Sequence, residues 1–149
     1  MEHGIALVKF MIAIVFAACV LLATSVHAEE QRIAIVASKE AGIKTISSKE
    51  VRRAYLGVTI LLDGVEIKPL LNQTDKLGEE VFLQKILFMS SEAYERQLLA
   101  RVFRGGGSPK AYQNLADLLA ALQNDKSTIT FMLYETAIKT PGIRIIGKS

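Results

Sequence analysis

The sequence predicts an α/β fold in which helices flank a mixed sheet. Strand and helix signals interleave in the order β-α-β-β-α-α-α-β-β, which favours helices layered on a sheet. Half of the 149 residues are apolar and 22% are charged, as in one globular domain. No internal repeat or linker interrupts residues 29–149. We therefore expect one domain there.

The first half of that domain carries clear local signals. Residues 32–38 form a short β-branched apolar run, typical of a buried strand. Ser47 and Glu50 have the spacing of a capping box, so we expect a helix from about Ser48 to Leu56, ended by Gly57. The dipeptide at 63–64, Asp-Gly, lies between apolar runs at 59–62 and 65–71 and predicts a hairpin.

Two helices are predicted next. The first begins at Thr74 or Asp75 and runs to about residue 89, with apolar residues around most of its circumference, so we expect it to be well buried. The second is capped by the serines at 90–91 and stops at the glycines 105–107. Its inward stripe is predicted to be Tyr94, Leu98 and Val102.

A third helix and two closing strands complete the prediction. Pro109 suits a first helical position, and the inward stripe of that helix is Tyr112, Leu115, Leu119 and Leu122. Residues 128–133 and 143–146 read as strands.

Residues 1–28 have the pattern of a secretory signal. Lys9 precedes an apolar run from Phe10 to Ala23, and Val26 and Ala28 are the small residues of a cleavage site. The run is shorter than the roughly 20 residues that span a bilayer, so cleavage after Ala28 is favoured over a retained anchor. We expect a periplasmic or secreted protein that meets a membrane only through this leader.

Removal of the leader takes away every histidine and cysteine, because His3, Cys19 and His27 all lie within it. A Ser-His-Asp triad, a cysteine nucleophile, a His/Cys zinc site and a disulfide are then excluded. We expect no enzyme, no metal and no cofactor. The net charge of +3 is mild and does not indicate a nucleic-acid-binding protein.

The strongest candidate site is the loop Arg104, Gly105, Gly106, Gly107 and Ser108. Glycines let backbone amides approach a ligand, and a helix beginning near Pro109 presents its positive end to an anion. Arg104 adds a guanidinium suited to phosphate or carboxylate. The alternative is a helix end followed by a tight connection, which glycine also serves.

Two further candidates follow strands. Thr74 and Asp75 begin a helix, where they serve either as ligand contacts or as an ordinary helix cap. Ser38 follows the first strand and is either a ligand contact or a plain loop residue.

Two segments carry a family resemblance. Residues 47–57 (SSKEVRRAYLG), followed by Asp63-Gly64, and residues 102–109 (VFRGGGSP) resemble segments of phosphate-type periplasmic substrate-binding proteins. The resemblance spans most of residues 31–147 and implies one lobe of the type II periplasmic-binding-protein fold. The family's Asp-x-Ser-Gly-Thr phosphate loop is absent: residues 71–78 read LNQTDKLG.

The resemblance implies a binding role for residues 29–149. The first hypothesis is an exported, non-enzymatic module that contacts an envelope protein or a small anion. The second is a phosphate-like anion receptor of an ABC importer, with a homo-oligomer supplying the missing lobe.

Overall fold

The computed structural model describes residues 4–5 and 30–149. The chain divides into two compact units, Met1–Glu30 and Gln31–Ser149. The signal sequence and its cleavage site lie outside the described residues and stay a prediction. No helix in the described part is long and apolar enough to span a bilayer.

The second unit is built on a five-stranded mixed sheet in the order β5-β4-β6-β1-β7. The central β6 runs parallel to β4 and antiparallel to β1. The strands of this sheet are β1 Ile33–Ser38, β4 Lys68–Asn72, β5 Lys110–Tyr112, β6 Thr128–Leu133 and β7 Ile143–Lys148. A separate hairpin comprises β2 Leu61–Leu62 and β3 Val65–Glu66. The helices are α1 Ser48–Tyr55, α2 Lys76–Phe82, α3 Ser91–Phe103, α4 Leu115–Asn124 and α5 Tyr134–Ala137, and a π-helical turn, Leu83–Leu87, follows α2.

Helices cover both faces of the sheet. The side chains of β1 therefore do not alternate between buried apolar and exposed polar residues. All six β1 residues are buried. Because successive side chains point to opposite faces, Ile33 and Ile35 belong to one core with Phe82, and Ala34 belongs to the other with Leu118. The α/β class and the flanking helices are therefore confirmed.

Local signals placed several element ends correctly. Ser47 and Glu50 form the predicted capping box, with the Ser47 N–H donating to Glu50 Oε2 at 2.8 Å and the Glu50 N–H to Ser47 Oγ at 3.2 Å. Asp63 and Gly64 both have positive φ, 51° and 80°, as a tight hairpin turn requires.

The apolar run at 65–71 is two strands and not one. The chain turns at Ile67, whose N–H donates to the Ile60 carbonyl at 2.9 Å, so β3 stays in the hairpin and β4 joins the main sheet. Pattern alone gave no break here, because no glycine, asparagine or serine turn signal stands between Glu66 and Lys68.

The helix predicted to run to residue 89 changes from an α-helix to a π-helix at Leu83. α2 passes into the π-helical turn, which ends at Phe88 in the left-handed region with φ 57°. The wider turn buries Ile86 and Leu87 but leaves Phe88 73% exposed, and Leu77 near the start of α2 is 45% exposed. The predicted burial is therefore wrong at these two residues.

The helix predicted from Pro109 is wrong at its start. Residues 110–112 form β5, and α4 begins only at Leu115, capped by Asn114, whose side chain accepts from the Asp117 N–H at 3.2 Å. Its fully buried residues are Leu118 and Leu122, whereas Leu115 is exposed. Pairing of β5 with β4 outweighs the local suitability of proline for a helix start.

Candidate functional site

An open groove of about 670 Å³ lies beside the first half of β4. It exists because β5 pairs only with Leu70–Asn72, so the preceding residues of β4 have no strand neighbour on that side. We call it the β4 groove. Its polar lining includes Glu66, Lys68, Arg101, Ser108, Lys110 and Asp125.

Pro69 explains where the strand pairing stops. The Lys68 N–H donates to the Ser127 carbonyl, on the β6 side of the strand. Because neighbouring residues along a strand direct their N–H groups to opposite sides, the Pro69 nitrogen lies on the groove side, where it has no hydrogen to donate. Proline thus leaves this stretch of β4 open.

Arg101 forms one wall of the groove. Its guanidinium donates to the carbonyl of Tyr55 at 3.5 Å, at the end of α1, and to the carbonyl of Gly107. A Cβ on Gly57, which has φ +93°, would lie 2.5 Å from Arg101 Nη1. The arginine therefore joins the ends of α1 and α3, and glycine leaves it the space to do so.

The glycine loop ends α3 in a Schellman motif. The Gly105 N–H donates to the Val102 carbonyl and the Gly106 N–H to the Arg101 carbonyl, both at 2.9 Å, and Gly105 has φ +80°. Two of the three glycine amides are therefore bonded within the helix end. The positive helix end expected at the loop is absent too, since α4 begins six residues beyond Pro109.

The predicted loop residues divide between two cavities. Gly107 and Ser108 line the β4 groove together with Arg101. Arg104 lines a smaller cavity of about 300 Å³ between α1 and α3, which also includes Arg101 and Gln97.

The opposite wall of the groove carries a fixed ion pair. Lys68 Nζ donates to Asp125 Oδ2 at 2.9 Å, and the backbone N–H and hydroxyl of Ser127 donate to Asp125 Oδ1. The Ser127 bonds and the Lys68 contact lower the pKa of Asp125 to about 2. The hydrogen bond to Asp125 in turn raises the pKa of Lys68. Both groups are charged at neutral pH.

Thr74 and Asp75 lie at the other end of β4, away from the groove. Asp75 is the cap of α2 and accepts from the Leu77 N–H at 3.1 Å. The Thr74 hydroxyl donates to Asn72 Oδ1 at 2.7 Å, and Asn72 Nδ2 donates to the Phe131 carbonyl at 2.8 Å. These bonds match the capping alternative for this pair.

Ser38 is buried at the end of β1, two strands from β4. That separation is about 10 Å across the sheet. Its hydroxyl oxygen accepts from the Glu40 N–H at 3.3 Å and from Lys126 Nζ at 3.4 Å. The structure thus places Ser38, the Thr74–Asp75 pair and the glycine loop in three separate locations.

The charged groove residues that sequence reasoning did not select as site residues are Glu66, Lys68, Arg101, Lys110 and Asp125. Pro69 within an apolar strand pattern was the available signal for an open strand edge. No local pattern joins Lys68 to Asp125, because 57 positions separate them.

No family model and no curated protein matches this chain. Solved structures that share its fold include the following two. One is a candidate phosphate ABC transporter substrate-binding protein with bound phosphate from Clostridium perfringens, with a TM-score of 0.54 and 11% identity over 78% of this chain and 44% of that one. The other is a candidate phosphate-binding protein from Planctomyces limnophilus, with a TM-score of 0.50 and 10% identity over 78% and 40%.

The chain therefore has a periplasmic-binding-protein-like α/β fold and spans less than half the length of these two structures. At such identities the likeness extends to the fold alone.

Proposed function

We propose that this chain is an exported, non-enzymatic binding module of the cell envelope that holds a protein partner in the β4 groove. The observation that carries the proposal is the groove itself: an open depression lined by the cations Lys68, Arg101 and Lys110 and by the carboxylates Glu66 and Asp125. Charges of both signs suit a protein surface with complementary charges of its own.

A catalytic role is disfavoured by the chemistry of these groups. Residues 29–149 contain no histidine or cysteine. The pKa of the groove carboxylate Asp125 is lowered to about 2, far from the range that a general acid or base needs near neutral pH. The two structures that share the fold are described as binding proteins, which fits the same reading.

The second candidate is a phosphate-like anion receptor of an ABC importer. It is favoured by the position of Arg101 beside Ser108 in the groove and by the phosphate bound in the Clostridium perfringens protein. Against it, the Arg101 guanidinium already bonds two carbonyls, and the Gly105 and Gly106 amides are bonded within α3. We therefore rank it second.

Titration calorimetry with inorganic phosphate separates the two candidates. We expect no heat beyond dilution for the exported protein. Micromolar binding that is lost in Lys110→Gln would replace the proposal with the anion receptor. That variant leaves the Arg101 contacts in place, since the contact of Lys110 Nζ among the described residues is with the Tyr112 ring, at 5.2 Å.

The partner is tested with a photo-cross-linking residue at Lys110, in the groove, and at Ile138, which is exposed and outside the groove lining, as the matched control. In the envelope of the native host, we expect one discrete adduct with a different polypeptide from position 110 and none from 138. The same adducts from both positions, or none from position 110, would contradict the proposal.

A further inference from the structure

Helix α3 and the end of α1 enclose the smaller of the two cavities, which we call the α1–α3 cavity. From α3 it is lined by Tyr94, Gln97, Leu98, Arg101 and Arg104, at positions i, i+3, i+4, i+7 and i+10, which share one side of a helix. The exposed apolar residues of α3 that do not line this cavity are Leu99, Val102 and Phe103.

The polar lining of the α1–α3 cavity is rich in hydrogen-bond donors. Two guanidinium groups and one amide line it, and none of its described lining residues carries a carboxylate. Arg101 is partly engaged, because it donates to the carbonyls of Tyr55 and Gly107. The side chains of Arg104 and Gln97 form no hydrogen bond or ion pair with any other described residue. Both are exposed, so their donors are accessible to a ligand.

The remaining lining of the cavity is apolar and held in place by the core. Leu56 and Leu98 are half-buried and pack against the larger core cluster. Tyr94 is buried, and its hydroxyl donates to the Tyr55 carbonyl at 3.2 Å, which joins α3 to the end of α1. The cavity therefore combines leucine surfaces with the donors of Arg104 and Gln97.

We propose that the α1–α3 cavity binds a small carboxylate with a short, branched apolar body. A guanidinium presents two parallel N–H donors to the two oxygens of a carboxylate. The leucine surfaces are stabilised when an apolar group covers them. Inorganic phosphate has no apolar part and would leave Leu56 and Leu98 in contact with water. The cavity volume of about 300 Å³ suits a small molecule, since ligand sites span roughly 300–1,000 Å³.

A purely structural role accounts for Arg101 but not for Arg104. Cations near a helix C-terminus are favoured by the carbonyls that lack partners there, and Arg101 bonds two carbonyls of this kind. The Arg104 guanidinium bonds no carbonyl of the described residues, although Arg104 directly follows α3. Arg104 is therefore the residue at which ligand binding and helix stabilisation can be told apart.

An NMR titration of the ¹⁵N-labelled exported protein with sodium isovalerate tests the proposal. We expect saturable shifts of the Gln97 side-chain amide and the Leu98 backbone amide, with a dissociation constant on the order of 1 mM. Sodium chloride at the same ionic strength should not produce them. Isovaleramide, which has the same shape without the charge, should bind about tenfold more weakly or not at all.

Two arginine variants assign the site. Arg104→Gln should weaken isovalerate binding about tenfold and leave the melting temperature unchanged, because the side chain is exposed and forms no bond within the described residues. Arg96→Gln is the matched control: it removes an exposed arginine of the same helix that does not line the cavity, and it should bind isovalerate like the unaltered protein.

The absence of a saturable shift up to about 50 mM isovalerate overturns the proposal. Equal binding of isovaleramide or of inorganic phosphate does the same, as does an equal loss of affinity in Arg104→Gln and Arg96→Gln. These measurements use the purified chain and a small molecule alone, so their outcome is independent of a partner in the β4 groove.

Discussion

The charged residues around the β4 groove act mainly on their own chain. Arg101 bonds the carbonyls of Tyr55 and Gly107, at the ends of two helices. A cation at a helix C-terminus is favoured by the carbonyls that lack partners there. Arg101 therefore has a structural role in the wall of the groove. Lys110 is the groove cation with the greatest freedom to contact a partner.

Asp125 is the residue whose contribution to stability depends most clearly on pH. Its pKa falls from 3.8 to about 2 on folding, so folding favours the carboxylate. The resulting stabilisation is complete above pH 4 and is lost as the pH falls towards 2. We expect Asp125→Asn to lower the free energy of unfolding by about 1 kcal/mol at pH 7, a modest value because the side chain is 42% exposed.

Urea unfolding at pH 7, 4 and 2 measures this difference, which should shrink to near zero at pH 2. Glu135→Gln is the control: it breaks an exposed ion pair with Arg32, at 3.7 Å, and should change stability by less than about 0.5 kcal/mol. An Asp125→Asn effect that is the same at all three pH values would contradict the assignment.

At the scale of elements, glycine residues end the helices α1 and α3. α1 and α3 both finish in Schellman motifs, at Gly57 and Gly105, and Arg101 packs against both ends. The three glycines of the loop are therefore not equivalent. Gly105 needs a positive φ, Gly106 needs space, and Gly107 needs neither.

Substitutions in this loop test that distinction. A Cβ at position 106 would lie 2.7 Å from Arg101 Cγ and 3.1 Å from the Arg101 carbonyl oxygen. We expect Gly106→Ala to cost about 1–3 kcal/mol in the free energy of unfolding. Gly107→Ala meets no atom within 4 Å and should leave stability unchanged or slightly raised. Thermal and urea unfolding of both variants measure the contrast, and equal effects would mean that Arg101 does not fill the space beside Gly106.

At the scale of the whole molecule, the predicted export determines the compartment in which the proposed binding takes place. If the leader is removed after Ala28, the product purified from the envelope begins Glu-Glu-Gln-Arg. Intact-mass measurement and N-terminal sequencing of that product check the boundary. A product that retains Cys19 would instead support the anchored form.

The chain is also short relative to solved structures of the same fold. The chain spans 44% and 40% of the two phosphate-related structures that it resembles in fold. A groove open to solvent and a helix with exposed apolar side chains are features expected of a protein that binds a partner.

Signals confined to a few residues were enough to predict much of this protein. The capping box at Ser47 and Glu50, the Asp63-Gly64 turn and the buried strands β1 and β6 follow from side-chain chemistry within one or two turns of chain. The absence of histidine and cysteine from residues 29–149 likewise needs no structure. These features were predictable because their determinants are adjacent in sequence.

Tertiary structure alone decided the order of the strands, the short strand β5 and the positions of the candidate site residues. Two of the three glycine amides that were expected to be free, those of Gly105 and Gly106, are bonded at the end of α3. The groove instead unites Lys68 with Asp125, 57 positions apart. Local patterns do not encode such contacts, because they arise only when pairing of β4 with β5 and β6 brings distant segments together. Val102 is exposed for the same reason. Arg101 donates to the Tyr55 carbonyl of α1 and lies on the inner face of α3, where Val102 was predicted.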